Sequence, residues 1–228
     1  MRGRTALALG IAAVTVAAGL AVAPLTFAAQ APANSCPDLE IIGARGTTER
    51  PGLGVVLTPL AQRITREVPQ TVRTTALDYP ASFNYTASVR QGVTRLASDL
   101  QRTAGACPDT RFVLMGYSQG ADVVGDAIAG SGRRAPALSG ALTDRIAAVL
   151  LFGDPAFTAG EPFNVTDGAR SGIFPRGAGR LDTVADRTQS FCNRNDRFCQ
   201  GGTSLAAHLA YGGFADEATA FVAGQAAG

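Results

Sequence analysis

The sequence predicts an α/β fold: a three-layer α/β/α sandwich around a mostly parallel central sheet. Three observations lead to this. Short apolar runs of strand length alternate along the chain with segments of helical periodicity. The strands are nearly continuous in apolar residues instead of alternating, as expected when both faces of a parallel sheet are covered by helices. The chain has 228 residues and is 46% hydrophobic and 17% charged, which suits one domain with a substantial core.

Each element follows in order. Leu39-Glu40-Ile41-Ile42 reads as a buried first strand ending at Gly43, followed by the turn-rich Arg45-Gly46-Thr47-Thr48-Glu49. Val56, Leu60, Ile64 and Val68 recur every fourth residue and mark a helix that stops before Pro69. Thr71 to Leu77 is β-prone and gives the second strand. Val89, Val93, Leu96 and Leu100 line one face of another helix. Phe112 to Met115 is the third strand, Gln119 to Ala129 a helix-like stretch, and Ile146 to Phe152 the fourth strand. Residues 155–190, rich in Gly, Arg, Asp and Thr and poor in periodicity, read as loop with room for one more strand. Ala215 to Ala226 closes the chain as a helix with Ala218, Phe221 and Val222 inward. No repeat, low-complexity tract or linker divides this span.

Residues 1–31 read as a signal peptide. Arg2 and Arg4 form a basic start, Thr5 to Val22 is apolar and uncharged, Pro24 breaks it, and Ala28, Ala29 and Ala31 offer small residues for cleavage. A membrane anchor is the rival reading of the same run. The expected mature domain is 32–228, and the expected destination is outside the cell, free or held at the cell envelope. Removing Arg2 and Arg4 takes the formal charge of +2 to zero, which gives no argument for a nucleic-acid partner. Asn84-Tyr85-Thr86 and Asn164-Val165-Thr166 are glycosylation sequons, relevant only in a eukaryotic secretory host. Four cysteines lie beyond the leader. In an exported chain they suggest two disulfides among three connectivities. The closeness of Cys192 to Cys199 favours that pair, leaving Cys36 with Cys107.

Composition excludes several chemistries. All 20 basic residues are arginine, so phosphate-binding P-loops, Schiff-base sites and Ser-Lys dyads, which need lysine, are ruled out. One histidine, His208, cannot build a multi-histidine zinc site, and no metal or cofactor is expected.

Gly116-Tyr117-Ser118-Gln119-Gly120 matches G-x-S-x-G, directly after a strand and directly before a helix. That setting is what a nucleophile elbow requires: a crowded turn with small flanking residues, the serine hydroxyl exposed, and a helix N-terminus beneath it. A plain Gly-Ser turn with Ser118 as helix cap is the bland alternative. A serine hydroxyl needs a base, and His208 is the only imidazole available. It follows the serine, as the chain order Ser, acid, His demands. For the acid, Asp154, Asp182, Asp186 and Asp196 all lie between the two. Asp154 directly follows the fourth strand, and Asp196 sits within Cys192–Cys199. From the residues alone, Asp196 stands level with the other three together.

Four motifs in order make the chain resemble the cutinase family, including its actinobacterial cutinase-like esterases: Ala44-Arg45-Gly46-Thr47-Thr48-Glu49, the Ser118 motif, Cys192 to Cys199 around Asp196, and Ala207-His208-Leu209-Ala210-Tyr211-Gly212. The resemblance spans roughly residues 36 to 226. It implies a small lidless α/β-hydrolase, Asp196 as the acid, disulfides Cys36–Cys107 and Cys192–Cys199, and an oxyanion hole from the Thr47 and Gln119 N–H groups. Fungal relatives commonly carry serine at the Thr47 position, whereas the threonine methyl restricts χ1. Segment 155–190 departs from the compact family pattern. The implied activity is hydrolysis of short- to medium-chain esters, cutin or other polyesters among them, by a monomer acting on lipid-like or polymeric substrates. Lipase, phospholipase and acetylxylan esterase activities are the near alternatives. A catalytically silent surface-binding protein and a peptidase are the distant ones. About 200 mature residues leave little length for a cap, so an open site is expected, with Phe83 and Leu209 as candidate walls of an acyl groove.

Overall fold

The computed structural model describes residues 36–130 and 137–228. The leader 1–31 lies outside the described residues, so the expected signal peptide and its cleavage are not part of the fold below. The chain divides into Met1–Ser35 and Cys36–Gly228, and the elements given below belong to the second unit.

Six strands, β1 (Leu39–Ala44), β2 (Val72–Ala76), β3 (Arg111–Tyr117), β4 (Ile146–Phe152), β5 (Asn164–Val165) and β6 (Thr188–Phe191), form one sheet. Its order is β2-β1-β3-β4-β6-β5, and every pair is parallel. The helices are α1 (Gly54–Glu67), α2 (Tyr85–Ala106), α3 (Gln119–Ala129), the single turns α4 (Gly140–Thr143) and α5 (Leu205–His208), and α6 (Ala215–Ala226). A β-strand sends successive side chains to opposite faces, and here both faces are covered. Ile42, Phe112, Leu114, Val149 and Leu151 meet α2 and α3 on one side. Leu39, Ile41, Val113, Met115, Ala148 and Leu150 meet α1 and α6 on the other. Every residue of β1 and β4 is buried; β4 reads as an unbroken apolar run, and β1 as one interrupted by Glu40, whose carboxylate binds Arg73 and Thr75 of β2.

Segment 155–190 carries more structure than its composition suggests: β5, a 3₁₀ turn over Asp182–Arg187, and β6. β6 is Thr-Gln-Ser-Phe and has no apolar run to announce it. Backbone pairing to β4 and a Thr188 hydroxyl donating to Val184 O at 2.7 Å hold it in place instead, although the buried Gln189 Oε1 has no partner among the described residues. Both expected disulfides form: Cys36–Cys107 ties the start of β1 to the end of α2, and Cys192–Cys199 closes a loop after β6.

The order in the sheet reverses at β1. The chain moves from β1 outward to β2, then returns to place β3 on the other side of β1. In an open parallel sheet, the crevice beyond the carboxyl ends of strands at such a switch point is where ligands bind. The loops after β1 and β3 leave from this point, with Ala44 and Gly116 paired in register.

Candidate active site

Ser118 sits between β3 and α3 with φ 54° and ψ −120°. This conformation is sparsely populated for a residue with a Cβ and costs of order 1–3 kcal/mol, held by the surrounding structure. Its N–H donates to Phe152 O at 2.8 Å, and its carbonyl accepts from Ala121 and Asp122 at the start of α3. The two glycines of the motif make the turn sterically feasible. A Cβ on Gly120 would run into the Ala44 carbonyl, and one on Gly116 into the Gly120 carbonyl. Tyr117 and Gln119 are buried on either side, while Ser118 stays partly exposed.

His208 ends α5, a turn capped by the Ser204 hydroxyl, which accepts from Ala207 N. The imidazole Nε2 lies 3.0 Å from Ser118 Oγ, and Nδ1 lies 2.8 Å from Asp196 Oδ2. The ring is stacked on Tyr117, with centroids 5.3 Å apart, and meets the Phe198 ring edge-on at 4.5 Å. The Tyr117 hydroxyl donates to His208 O at 3.0 Å, so Tyr117 holds both the backbone and the plane of the histidine. Gly153, after β4, has φ +60°, and a Cβ there would come within 2.9 Å of His208 Cε1. The absent side chain makes room for the ring.

Asp196 is fully buried and fully bonded. Oδ1 accepts the N–H groups of Phe198 and Cys199 at 2.7 and 3.0 Å; Oδ2 is shared by His208 and the Tyr211 hydroxyl, the latter at 2.7 Å. Burial pushes this carboxyl up, but the bonds from His208, Tyr211 and Phe198 outweigh it and leave it below the usual carboxylate range. The loop is held by Cys192–Cys199, by Asn195 in a left-handed conformation (φ 62°), and by paired bonds between Asn195, Arg197 and Ser204. The Tyr211 hydroxyl is pushed up, first by burial and then by the neighbouring Asp196 charge, so it stays a proton donor.

Asp154, the rival acid, does something else. Its Oδ2 lies 2.8 Å from Arg176 Nη1, and Oδ1 accepts from Ala156 N. Arg176 has a side chain only 6% exposed and also binds Asp122 and Asp126 on α3. The Tyr85 hydroxyl donates to Asp122 at 2.9 Å. Asp182 and Asp186 lie in the 3₁₀ turn before β6. Burial, reinforced by Asp154 and Asp126 and opposed by Arg176, pushes Asp122 up to about 7. Arg176 gave no signal in the sequence, because segment 155–190 has no periodicity to mark it as inward.

The loop Arg45–Glu49 passes against the elbow: Gly46 lies on the Tyr117 ring, and the Ala44 carbonyl abuts Gly120. Gln119 is the first residue of α3, so its N–H has no acceptor within the helix. Its side chain is clamped, with Nε2 donating to Ser82 O at 3.0 Å and Oε1 accepting from the Ser88 hydroxyl at 2.8 Å. Around Thr47, the N–H groups of Gly46, Thr48 and Glu49 are all bonded within the structure. Among the described residues, none accepts the Thr47 N–H. No group of three or more metal-ligating side chains occurs among the described residues.

A strand–elbow–helix serine at a sheet switch point, hydrogen-bonded to an imidazole that meets a buried carboxylate, defines the α/β-hydrolase class. The family model for cutinase matches residues 35–226, and the chain belongs to the cutinase family. It is 32% identical over 220 residues to acetylxylan esterase 2 of Talaromyces purpureogenus, covering 90% of this chain and 93% of that one. It is 36% identical over 218 residues to phospholipase Culp4 of Mycobacterium tuberculosis, covering 92% and 89%. The catalytic core domain of acetyl xylan esterase from Trichoderma reesei superposes with a TM-score of 0.78 at 29% identity, over 84% of this chain and all of that one. The protein is a carboxylic ester hydrolase.

Proposed function

We propose that the chain is a secreted serine esterase with Ser118 as nucleophile, His208 as base and Asp196 as acid, its oxyanion hole formed by the N–H groups of Thr47 and Gln119. The observation that carries the reading is the unbroken relay Asp196–His208–Ser118, with steps of 2.8 and 3.0 Å. His208 Nε2 takes the Ser118 proton as Oγ attacks the ester carbonyl. Asp196 fixes the tautomer and balances the imidazolium. The carbonyl oxygen gathers negative charge between the two N–H donors, each worth about 3 kcal/mol in the transition state. His208 then gives the proton to the departing alcohol, leaving an acyl group on Ser118. Water, deprotonated by the same imidazole, releases the acid and restores the hydroxyl. The cycle uses only side chains and backbone of this chain.

The substrates are short- to medium-chain acyl esters, including polyesters such as cutin. Large apolar side chains stay exposed beside the relay: Phe83 at 85% and Leu209 at 61%, the first following Ser82, which binds Gln119, the second following His208. Such surface suits an ester presented on a polymer or lipid aggregate. Residues 1–31 are removed on export, and 32–228 act as a monomer outside the cell or at its envelope.

The test is hydrolysis of p-nitrophenyl esters from acetate to palmitate by the purified mature protein and by Ser118→Ala. Turnover highest on short or medium chains and abolished by the substitution is the expected result. A folded, disulfide-bonded protein with no turnover on any ester contradicts it.

A further inference from the structure

The motif Ala44 to Glu49 contributes Thr47 to the proposed mechanism, yet its two charged residues, Arg45 and Glu49, have no part in that cycle. Both turn inward. The Arg45 guanidinium donates to Glu49 O at 2.9 Å, to Leu77 O at 3.3 Å and to Tyr79 O at 2.7 Å, and Tyr79 returns a bond from its hydroxyl to Arg45 O. Arg45 thereby holds both ends of the five-residue loop to the chain after β2. Glu49 closes the loop from within. Its Oε2 accepts the Gly46 N–H at 2.6 Å, the peptide group beside Thr47, and its Oε1 accepts the Val55 N–H at 2.7 Å in the first turn of α1. Thr48, between them, has φ 65°, a conformation that a β-branched residue holds only under constraint.

We infer that Glu49 is a positioning residue for the oxyanion hole: its carboxylate, bridging the Gly46 and Val55 N–H groups, sets the orientation of the adjacent Thr47 N–H. The inference rests on the proposed serine-esterase cycle. A loop of this kind has two ways to turn its peptide groups. With two backbone N–H groups converging on one carboxylate, the Gly46 N–H is committed inward, which leaves the Thr47 N–H as the outward donor. Charge-assisted bonds of this length are the strong ones, and the first turn of α1 adds a favourable dipole for the anion. Arg45 supports the same loop at its carbonyls. The two act on different groups, donors through Glu49 and acceptors through Arg45. An oxyanion donor matters only once the carbonyl oxygen becomes charged, so a misdirected Thr47 N–H lowers kcat with little effect on KM.

The experiment compares wild type, Glu49→Gln and Glu49→Ala on p-nitrophenyl butyrate, with the affinity of an alkyl boronic acid, which forms a tetrahedral anion on the serine, measured alongside. Gln keeps one acceptor oxygen, so Glu49→Gln is expected to lose about tenfold in kcat and Glu49→Ala about a hundredfold. KM is expected to stay within about twofold, and boronate affinity to fall in step with kcat. A variant with a lowered melting temperature but unchanged kcat per folded molecule overturns the inference, as does a loss seen in KM alone or unaccompanied by weaker boronate binding. If Glu49→Ala does not fold, Glu49→Gln carries the test by itself. Ser118→Ala, assayed in the same series, separates this failure from failure of the esterase cycle: only the latter leaves Ser118→Ala as active as wild type.

Discussion

Asp196 and Asp154 are both buried aspartates downstream of the nucleophile, yet they face different partners, and that difference is testable. Asp196→Asn removes the charge that orients His208 and is expected to lower kcat by on the order of 10⁴, with the fold intact. Asp154→Asn is expected to lower the melting temperature by weakening the Arg176 cluster while leaving kcat per folded molecule near wild type. Parallel assays of kcat and thermal unfolding distinguish them, and comparable kcat losses would remove the assignment of acid. Tyr211→Phe, which deletes the hydroxyl bond to Asp196, is expected to lower kcat about tenfold, since a hydrogen bond to a charged group contributes about 1.5–3 kcal/mol. The proposed nucleophile Ser118 and base His208 stood out in the sequence because one carried a motif and the other had no rival. Asp154 and Asp196 were not separable from the residues alone, because the deciding partners are remote: Arg176 lies 22 positions beyond Asp154, in a segment without pattern. Tyr211 appeared inside a motif, but nothing local shows that its hydroxyl reaches back 15 residues.

At the scale of elements, the strands β1, β3 and β4 were readable because burial on both faces selects mostly apolar residues, with the buried Glu40 of β1 tolerated through its pairing with Arg73, and α1 and α2 because one face must be apolar. β5 and β6 escaped, since at the sheet margin backbone pairing to a buried neighbour does the work that side-chain hydrophobicity does elsewhere. The two disulfides divide their roles in a way the loop lengths foretell. Cys36–Cys107 spans 71 residues and restricts the unfolded chain more than Cys192–Cys199, which spans 7. Loop-closure entropy gives about 4 kcal/mol for the first and about 2.5 kcal/mol for the second. Replacing Cys36 and Cys107 by serine is therefore expected to lower stability more, with kcat per folded molecule preserved. Replacing Cys192 and Cys199 by serine is expected to lower stability less and kcat more, because that loop carries Asp196. Denaturant unfolding and kcat measured on both double variants decide it, and equal kcat losses would break the link between the short loop and the acid.

Taken as a whole, the molecule brings Ser118, His208 and Asp196 together beside the switch point of the sheet and stakes segment 155–190 to α3 through the buried Arg176. That stake has a pH signature. Asp122 is held near 7 in the folded protein, whereas an exposed aspartate in the unfolded chain titrates near 4. Between about pH 4 and about pH 7 the folded state therefore holds a proton that the unfolded state has released. The contribution of this group to stability is fully present below about pH 4 and declines as pH rises through about 7. Asp122→Asn is expected to flatten that decline. Unfolding free energies from pH 4 to pH 8 for both proteins check it, and an unchanged slope would assign the pH dependence to other groups.

Reaction with diethyl p-nitrophenyl phosphate tests whether Ser118 is the nucleophile. One equivalent of nitrophenol should be released, with loss of ester hydrolysis in proportion, a phosphoryl group mapped by peptide mass to Ser118, and no labelling of Ser118→Ala. Labelling at another residue, or full hydrolytic activity with Ser118 occupied, would contradict it.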